Sequence, residues 1–238
     1  MNTYWGKFYG VGVGPGNPQF LTLRAVQVLQ EVEIVAIPIS RNDRESVAWD
    51  IARTHCRPNV ELLELEMPMT ADKIVLTQAW QTAAEAVLTE LRAGKSIAFI
   101  TLGDPSLYST YSYLLNHLRP HLPVELIETV PGITAMSAAA ARLNIPLAVG
   151  DEPLVVLPGT EDVEKFLDLP NLVVLKVSRR LPHLLTAIQQ AQKEAILCTR
   201  VGQTKEEIRR RPEIPDEGAA KIDYLSLLLV KENPEEGV

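Results

Sequence analysis

Three short loops carry the residues best suited to hold a small polar ligand. They are Gly12-Val13-Gly14-Pro15-Gly16-Asn17-Pro18, Thr101-Leu102-Gly103-Asp104-Pro105-Ser106 and Thr129-Val130-Pro131-Gly132-Ile133-Thr134-Ala135. Each follows an apolar run that reads as a strand. Taken singly, each is a sharp strand-to-helix turn. Three in one chain, all built from small residues, point to a shared site, because loops at the carboxyl ends of strands in an open α/β sheet gather around a ligand crevice. Such loops offer mainly main-chain carbonyls and amides, which bond a polar ligand without a dedicated charge. Asp104 adds an acceptor that either meets a ligand donor or caps the turn before Ser106. Thr134 likewise either bonds a ligand or caps the alanine-rich segment after it.

The glycine run from Gly10 to Gly16 resembles a dinucleotide fingerprint without matching it. A G-x-G-x-x-G count from Gly10 ends on Pro15, and one from Gly12 ends on Asn17. That spacing excludes a nicotinamide dehydrogenase of the Rossmann type. No metal site is expected: Cys56 and Cys198 lie far apart, and His117 and His121 flank Pro120, which spoils a regular helical face. The two cysteines read as free thiols of a reducing compartment.

Those loops need elements to hold them. Strand-like and helix-like segments alternate through the first half. Strands are expected over residues 7–13, 33–37, 60–66, 96–102 and 124–129, and helices over 22–31 (capped by Thr22), 44–54, 71–92 and 106–118. This alternation predicts an α/β fold with a largely parallel sheet. In the second half, residues 133–143 form an alanine-rich helix and 181–192 another. Strands are expected over 154–157, 172–177, 195–199 and 224–230, and residues 205–217 as a charged surface loop with a helical turn. Arg209, Arg210 and Arg211 in that loop read as a solvated face. The change of texture near Pro131 divides the chain into an N-terminal α/β domain over 1–130 and a C-terminal α/β domain over 131–238, with a cleft expected between them.

Composition sets further bounds. The chain has 238 residues, 46% of them hydrophobic, enough for either one large core or two small ones. A net charge of −7 argues against a nucleic-acid surface. No apolar run reaches the roughly 18 residues of a membrane span. The start, Met1-Asn2-Thr3-Tyr4-Trp5-Gly6-Lys7, lacks a charged segment followed by an apolar core, so a cytoplasmic location is expected.

In this order and spacing the three loops resemble the tetrapyrrole (corrin/porphyrin) methylases, and the resemblance spans nearly the whole chain. Ala36-Ile37-Pro38, Gly103-Asp104-Pro105-Ser106-Leu107-Tyr108-Ser109-Thr110, Arg142-Leu143-Asn144-Ile145-Pro146-Leu147, Gly150-Asp151-Glu152 and Lys176-Val177-Ser178-Arg179-Arg180-Leu181-Pro182 resemble the branch that methylates carbon 20 of precorrin-2 or its cobalt-chelated counterpart. The resemblance implies two α/β domains, non-Rossmann, working as a homodimer. It implies S-adenosyl-L-methionine as cofactor, S-adenosyl-L-homocysteine as product and a tetrapyrrole as acceptor. It places Pro15, Gly103, Asp104, Leu107, Thr134, Ala135, Leu157, Pro158, Ser226 and Leu227 at the cofactor, and Gly12, Gly14 and Gly16 facing the tetrapyrrole.

The acceptor that the resemblance implies is a polycarboxylate, and the protein is acidic, so basic side chains are expected to be concentrated locally. Lys176, Arg179 and Arg180 are the first candidates, Arg41 and Arg44 the second. No obligatory general base is evident. Asp104 and Tyr108 are weak catalytic candidates for taking the carbon-bound proton, alongside water and a substrate carboxylate. Two other readings stay open: the same fold acting on another corrin carbon or on uroporphyrinogen, and a tetrapyrrole-binding protein that does not turn over.

Overall fold

Five segments of the first 130 residues become five parallel strands. A computed structural model describes residues 5–40, 46–68, 70–214 and 222–233, and the chain divides into two units, Met1–Thr134 and Ala135–Val238. In unit 1 the strands are β1 (Phe8–Gly12), β2 (Ile34–Ile39), β3 (Glu61–Glu66), β4 (Ile97–Thr101) and β5 (Ile127–Val130), in the sheet order β3-β2-β4-β1-β5. The helices are α1 (Leu23–Glu31), α2 (Val47–Ala52), α3 (Lys73–Arg92) and α4 (Tyr111–Leu118). The central strands are buried on both faces, as a parallel sheet with helices on each side requires.

Alternation along the strands sorts the core into two layers. Phe8, Ile34, Ala36, Ile97 and Phe99 pack with α3 and α4, while Tyr9, Val11, Val35, Ile37, Ala98 and Ile100 pack with α1 and α2. Gly10 faces the first layer, where a Cβ would fall 2.1 Å from the ring of Tyr111. The missing side chain therefore admits that buried ring, whose hydroxyl pairs with Thr129 Oγ1 at 2.6 Å. Thr22 caps α1 as its position suggests, its hydroxyl accepting from Ala25 N at 3.1 Å.

Unit 2 holds α5 (Ala135–Leu143), β6 (Leu154–Pro158), β7 (Asn171–Leu175), α6 (Leu181–Gln190), β8 (Glu194–Thr199), β9 (Glu207–Arg210) and β10 (Ser226–Lys231). Its sheet runs β6-β7-β10-β8-β9. β6 and β7 are parallel, and the remaining pairings are antiparallel. α6 covers one face with Leu181, Leu184, Leu185 and Ile188, against Leu157, Leu172, Val174, Leu197, Leu228 and Val230.

Three segments differ from the sequence expectation. The helix expected over 106–118 starts at Tyr111, because Asp104 and Ser109 bond the backbone locally and replace its first turns. Tyr108 therefore sits in a turn with φ +48°, off the helix face that carries Tyr111. The expected loop at 205–217 contains β9 instead. It is an edge strand whose Ile208 pairs with Cys198, while its charged neighbours suit an exposed edge. Residues 124–126 form a 3-10 turn ahead of β5 rather than its beginning. Arg41 and Arg44 lie outside the described residues.

Candidate functional site

The strand order of unit 1 locates a site. From β1 the chain crosses through α1 to β2 on one side of the sheet. From the adjacent β4 it leaves through α4 to β5 on the other side. The two connections use opposite faces, so the carboxyl ends of β1 and β4 form a topological switch point, where open α/β sheets bind ligands. The loops after β1, β4 and β5 all emerge there.

The three loops are tied together by their backbones. Gly14 and Gly103 form an isolated antiparallel bridge, with Gly103 N donating to Gly14 O at 2.8 Å and Gly14 N to Gly103 O at 3.3 Å. Both have φ near +75°, a conformation that costs glycine nothing. Gly12 and Gly132 are bare for another reason. A Cβ on Gly12 would lie 2.6 Å from Gly103 O and 2.7 Å from Gly132 N, and one on Gly132 would lie 2.1 Å from Gly103 O. Gly12 and Gly14 are buried, and their side-chain space is taken by the other two loops and by Phe20. Gly103 is the exception: a Cβ there would meet nothing within 4 Å, so the space above it is open.

Asp104 spends its carboxylate on the chain. One oxygen accepts from Ser106 N at 2.8 Å and from the Ser106 hydroxyl, and the other from Gly132 N at 2.8 Å. Ser109 links the end of β4 to the start of α4, pairing with Thr101 Oγ1 at 2.9 Å and accepting from Tyr111 N at 3.2 Å. Burial raises the pKa of the Tyr111 hydroxyl, so it stays protonated at neutral pH. Pro15 is buried, Gly16, Leu107 and Thr134 are half-buried, and Tyr108 is 45% exposed.

In unit 2 the expected residues fall on two faces of one sheet end. Pro158 pairs with Leu175, and Leu175 with Leu227, so these three share the face turned away from α6. Leu157 lies on the other face as a core residue under α6. Ser226, buried on β10, is on that same face, and its hydroxyl pairs with Thr199 Oγ1 at 2.9 Å. Ala135 opens α5.

The basic candidates also separate. Lys176 follows β7 in the left-handed region (φ +58°), is exposed and places its ammonium 5.8 Å from the Tyr224 ring centre. Arg180 turns back to its own unit, donating to the carbonyls of Thr160 and Glu161 at 2.9 Å each. The side chain of Arg179 lies outside the described residues.

Sequence reasoning missed the tie from Asp104 to Gly132 and the bidentate pair of Arg24 on α1 with Glu128 on β5, both bonds 2.7 Å. Neither has a local signal, because the partners are 28 and 104 residues apart. Among the described residues no helix is long and apolar enough to cross a membrane.

Residues 7–213 match the family model of the Tetrapyrrole (Corrin/Porphyrin) Methylases. A probable cobalt-precorrin-2 C(20)-methyltransferase of Methanocaldococcus jannaschii is 37% identical, over 97% of this chain and 98% of the relative. A cobalt-precorrin-2 C(20)-methyltransferase of Salmonella typhimurium is 35% identical over 78% and 79%. A precorrin-2 C(20)-methyltransferase of a Sinorhizobium species is 34% identical over 77% and 78%. Among solved structures, a cobalt precorrin-4 methyltransferase superposes with a TM-score of 0.72 at 19% identity, covering 94% of each chain. A uroporphyrin-III C-methyltransferase of Thermus thermophilus, solved with S-adenosyl homocysteine, gives 0.70 at 23% identity, over 95% of this chain and 98% of that one. At these identities the structures attest the fold.

Proposed function

Because the chain belongs to the tetrapyrrole (corrin/porphyrin) methylases, we propose that it methylates carbon 20 of precorrin-2 or cobalt-factor II in cobalamin biosynthesis, using S-adenosyl-L-methionine. The observation that carries this is the 37% identity to a relative named for that reaction, extending over nearly the full length of both chains.

The residues present suit the cofactor. Space over Gly103 is open at the switch point, since a Cβ there meets no atom within 4 Å, and the adjoining Asp104 carboxylate already accepts from Ser106 and Gly132. When bound, S-adenosyl-L-methionine supplies a methyl on a sulfonium leaving group. We assign its holding in unit 1 to Pro15, Gly103, Leu107 and Thr134, with Asp104 acting through the loops. In unit 2 we assign it to Ala135, Pro158 and Leu227, while Leu157 and Ser226 support the sheet end from the α6 side. Gly16 and Lys176 are assigned to the acceptor, Lys176 facing a carboxylate. Gly12 and Gly14 set the loop shape that the acceptor meets. The family reading extends to a cytoplasmic homodimer.

The chain's own work is alignment and exclusion of water. Holding the reacting carbon in line with the methyl is worth several kcal/mol of barrier, on the order of what proximity effects supply. No side chain needs to activate an already electron-rich carbon. Asp104 has three donors on its carboxylate, and Tyr111 is a buried, protonated hydroxyl. The proton left on carbon after transfer therefore goes to water or to a substrate carboxylate, with Tyr108 an exposed side chain in the same loop. Incubation of the purified protein with the cofactor and either precorrin-2 or cobalt-factor II should give a product one methyl heavier. Tight binding of S-adenosyl-L-homocysteine and of both tetrapyrroles without turnover would instead establish a non-catalytic binding protein.

A further inference from the structure

We infer that Asp104 is neither the general base nor a direct cofactor ligand but a positioning residue that makes the loops after β4 and β5 a single frame; this rests on the methyltransferase reading above. The strand order explains why such a tie is needed. β1 lies between β4 and β5, so no ladder bond joins the two outer strands. The bond from Gly132 N to Asp104 Oδ2, at 2.8 Å, connects their loops directly. It does so beside the end of β1: Gly12 touches the Gly103 carbonyl on one loop and the Gly132 backbone on the other, which only a residue without a side chain permits.

The other carboxylate oxygen fixes the tie at its base. It accepts from both the amide and the hydroxyl of Ser106, holding the side chain aimed at Gly132. Hydrogen bonds to a carboxylate are stronger than neutral ones. With Gly14 and Gly103 bridged as well, all three loops at the switch point move as one body. A ligand resting on Gly103 and Thr134 thus meets a preformed surface, and loses affinity if the loops part.

The test uses Asp104→Asn, an isosteric change whose amide can accept from only one of the two backbone donors. The expected result is about a tenfold or larger rise in the Kd for S-adenosyl-L-homocysteine and in the KM for S-adenosyl-L-methionine, the scale of one lost charged hydrogen bond. The kcat should fall less than KM rises, and the shape of kcat against pH should not change. Hydrogen exchange at the Gly132 amide should quicken. A collapse of kcat with unchanged Kd, or loss of a limb of the pH profile, would make Asp104 the base and overturn the inference. Unchanged Kd with unchanged Gly132 exchange would overturn it too.

Wild-type protein gives a check that needs no variant. Adding S-adenosyl-L-homocysteine should slow exchange in residues 103–107 and 131–134 together, and protection confined to one loop contradicts a single frame. If the wild type binds no S-adenosyl-L-homocysteine, the methyltransferase reading fails, while Gly132 exchange in Asp104→Asn still decides whether the tie exists.

Discussion

Replacing Gly12 by alanine tests the loop junction most severely. The added Cβ would fall 2.6 Å from Gly103 O, 2.7 Å from Gly132 N and 2.8 Å from Gly132 Cα, short of ordinary contact by roughly 0.6 to 0.8 Å each. All three are backbone atoms, so no flexible side chain can swing away. Overpacking of this kind costs about 1–3 kcal/mol. In a chain of this size that lowers Tm by about 2–12 °C, at roughly 2–4 °C per kcal/mol. The relief available is for the β4 and β5 loops to part, which stretches the 2.8 Å bond between Asp104 and Gly132. Affinity for S-adenosyl-L-homocysteine should therefore fall along with Tm. Gly103→Ala is the control for Tm alone: it is strained by its φ of +74° at a cost of about 1–2 kcal/mol, its Cβ meets no protein atom, and Gly103 is itself assigned to the cofactor. Differential scanning calorimetry on both variants and ligand titration on Gly12→Ala decide the matter. A Gly12→Ala protein with wild-type Tm and wild-type affinity would refute the junction.

Three further outcomes are expected. The Arg24 hydrogen bonds hold the Glu128 carboxyl below its ordinary pKa, so the pair stabilises above about pH 4.3, and that contribution is lost as pH falls through the lowered value. Both side chains are about 40% exposed, so Glu128→Gln should cost less than about 1 kcal/mol at pH 7 and nothing in strong acid, by urea titration. Burial pushes the thiols of Cys56 and Cys198 up to about 11 and about 12, so both should react with a disulfide reagent at pH 8 far more slowly in the native protein than in denaturant. Lys176→Ala should raise the KM for the tetrapyrrole about tenfold or less and leave S-adenosyl-L-homocysteine affinity unchanged, as loss of one charge pair predicts.

Much of unit 1 was legible because its signals are local. Apolar runs bounded by glycine and proline mark β1, β4 and β5, and Thr22 marks the start of α1. The three loops could be recognised as a set from their composition. Their mutual contacts could not, because the adjacency of Gly12, Gly103 and Gly132 follows from the order β4-β1-β5, which no local pattern states. The late start of α4 was hidden for a related reason: Ser109 accepts from Tyr111 N at a position that helical periodicity alone reads as helix. In unit 2, Pro158 and Leu227 share a face while neighbouring Leu157 and Ser226 take the other, a distinction set by register alone. β9 escaped notice because an edge strand of charged residues carries little apolar alternation.

The central claim is methyl transfer to one carbon of one macrocycle. The direct measurement is the carbon-13 NMR spectrum of the product formed from methyl-labelled S-adenosyl-L-methionine, run side by side on precorrin-2 and cobalt-factor II. A single labelled methyl at carbon 20, from whichever tetrapyrrole is accepted, is the predicted result. A label at any other carbon, or none from either tetrapyrrole, would contradict it.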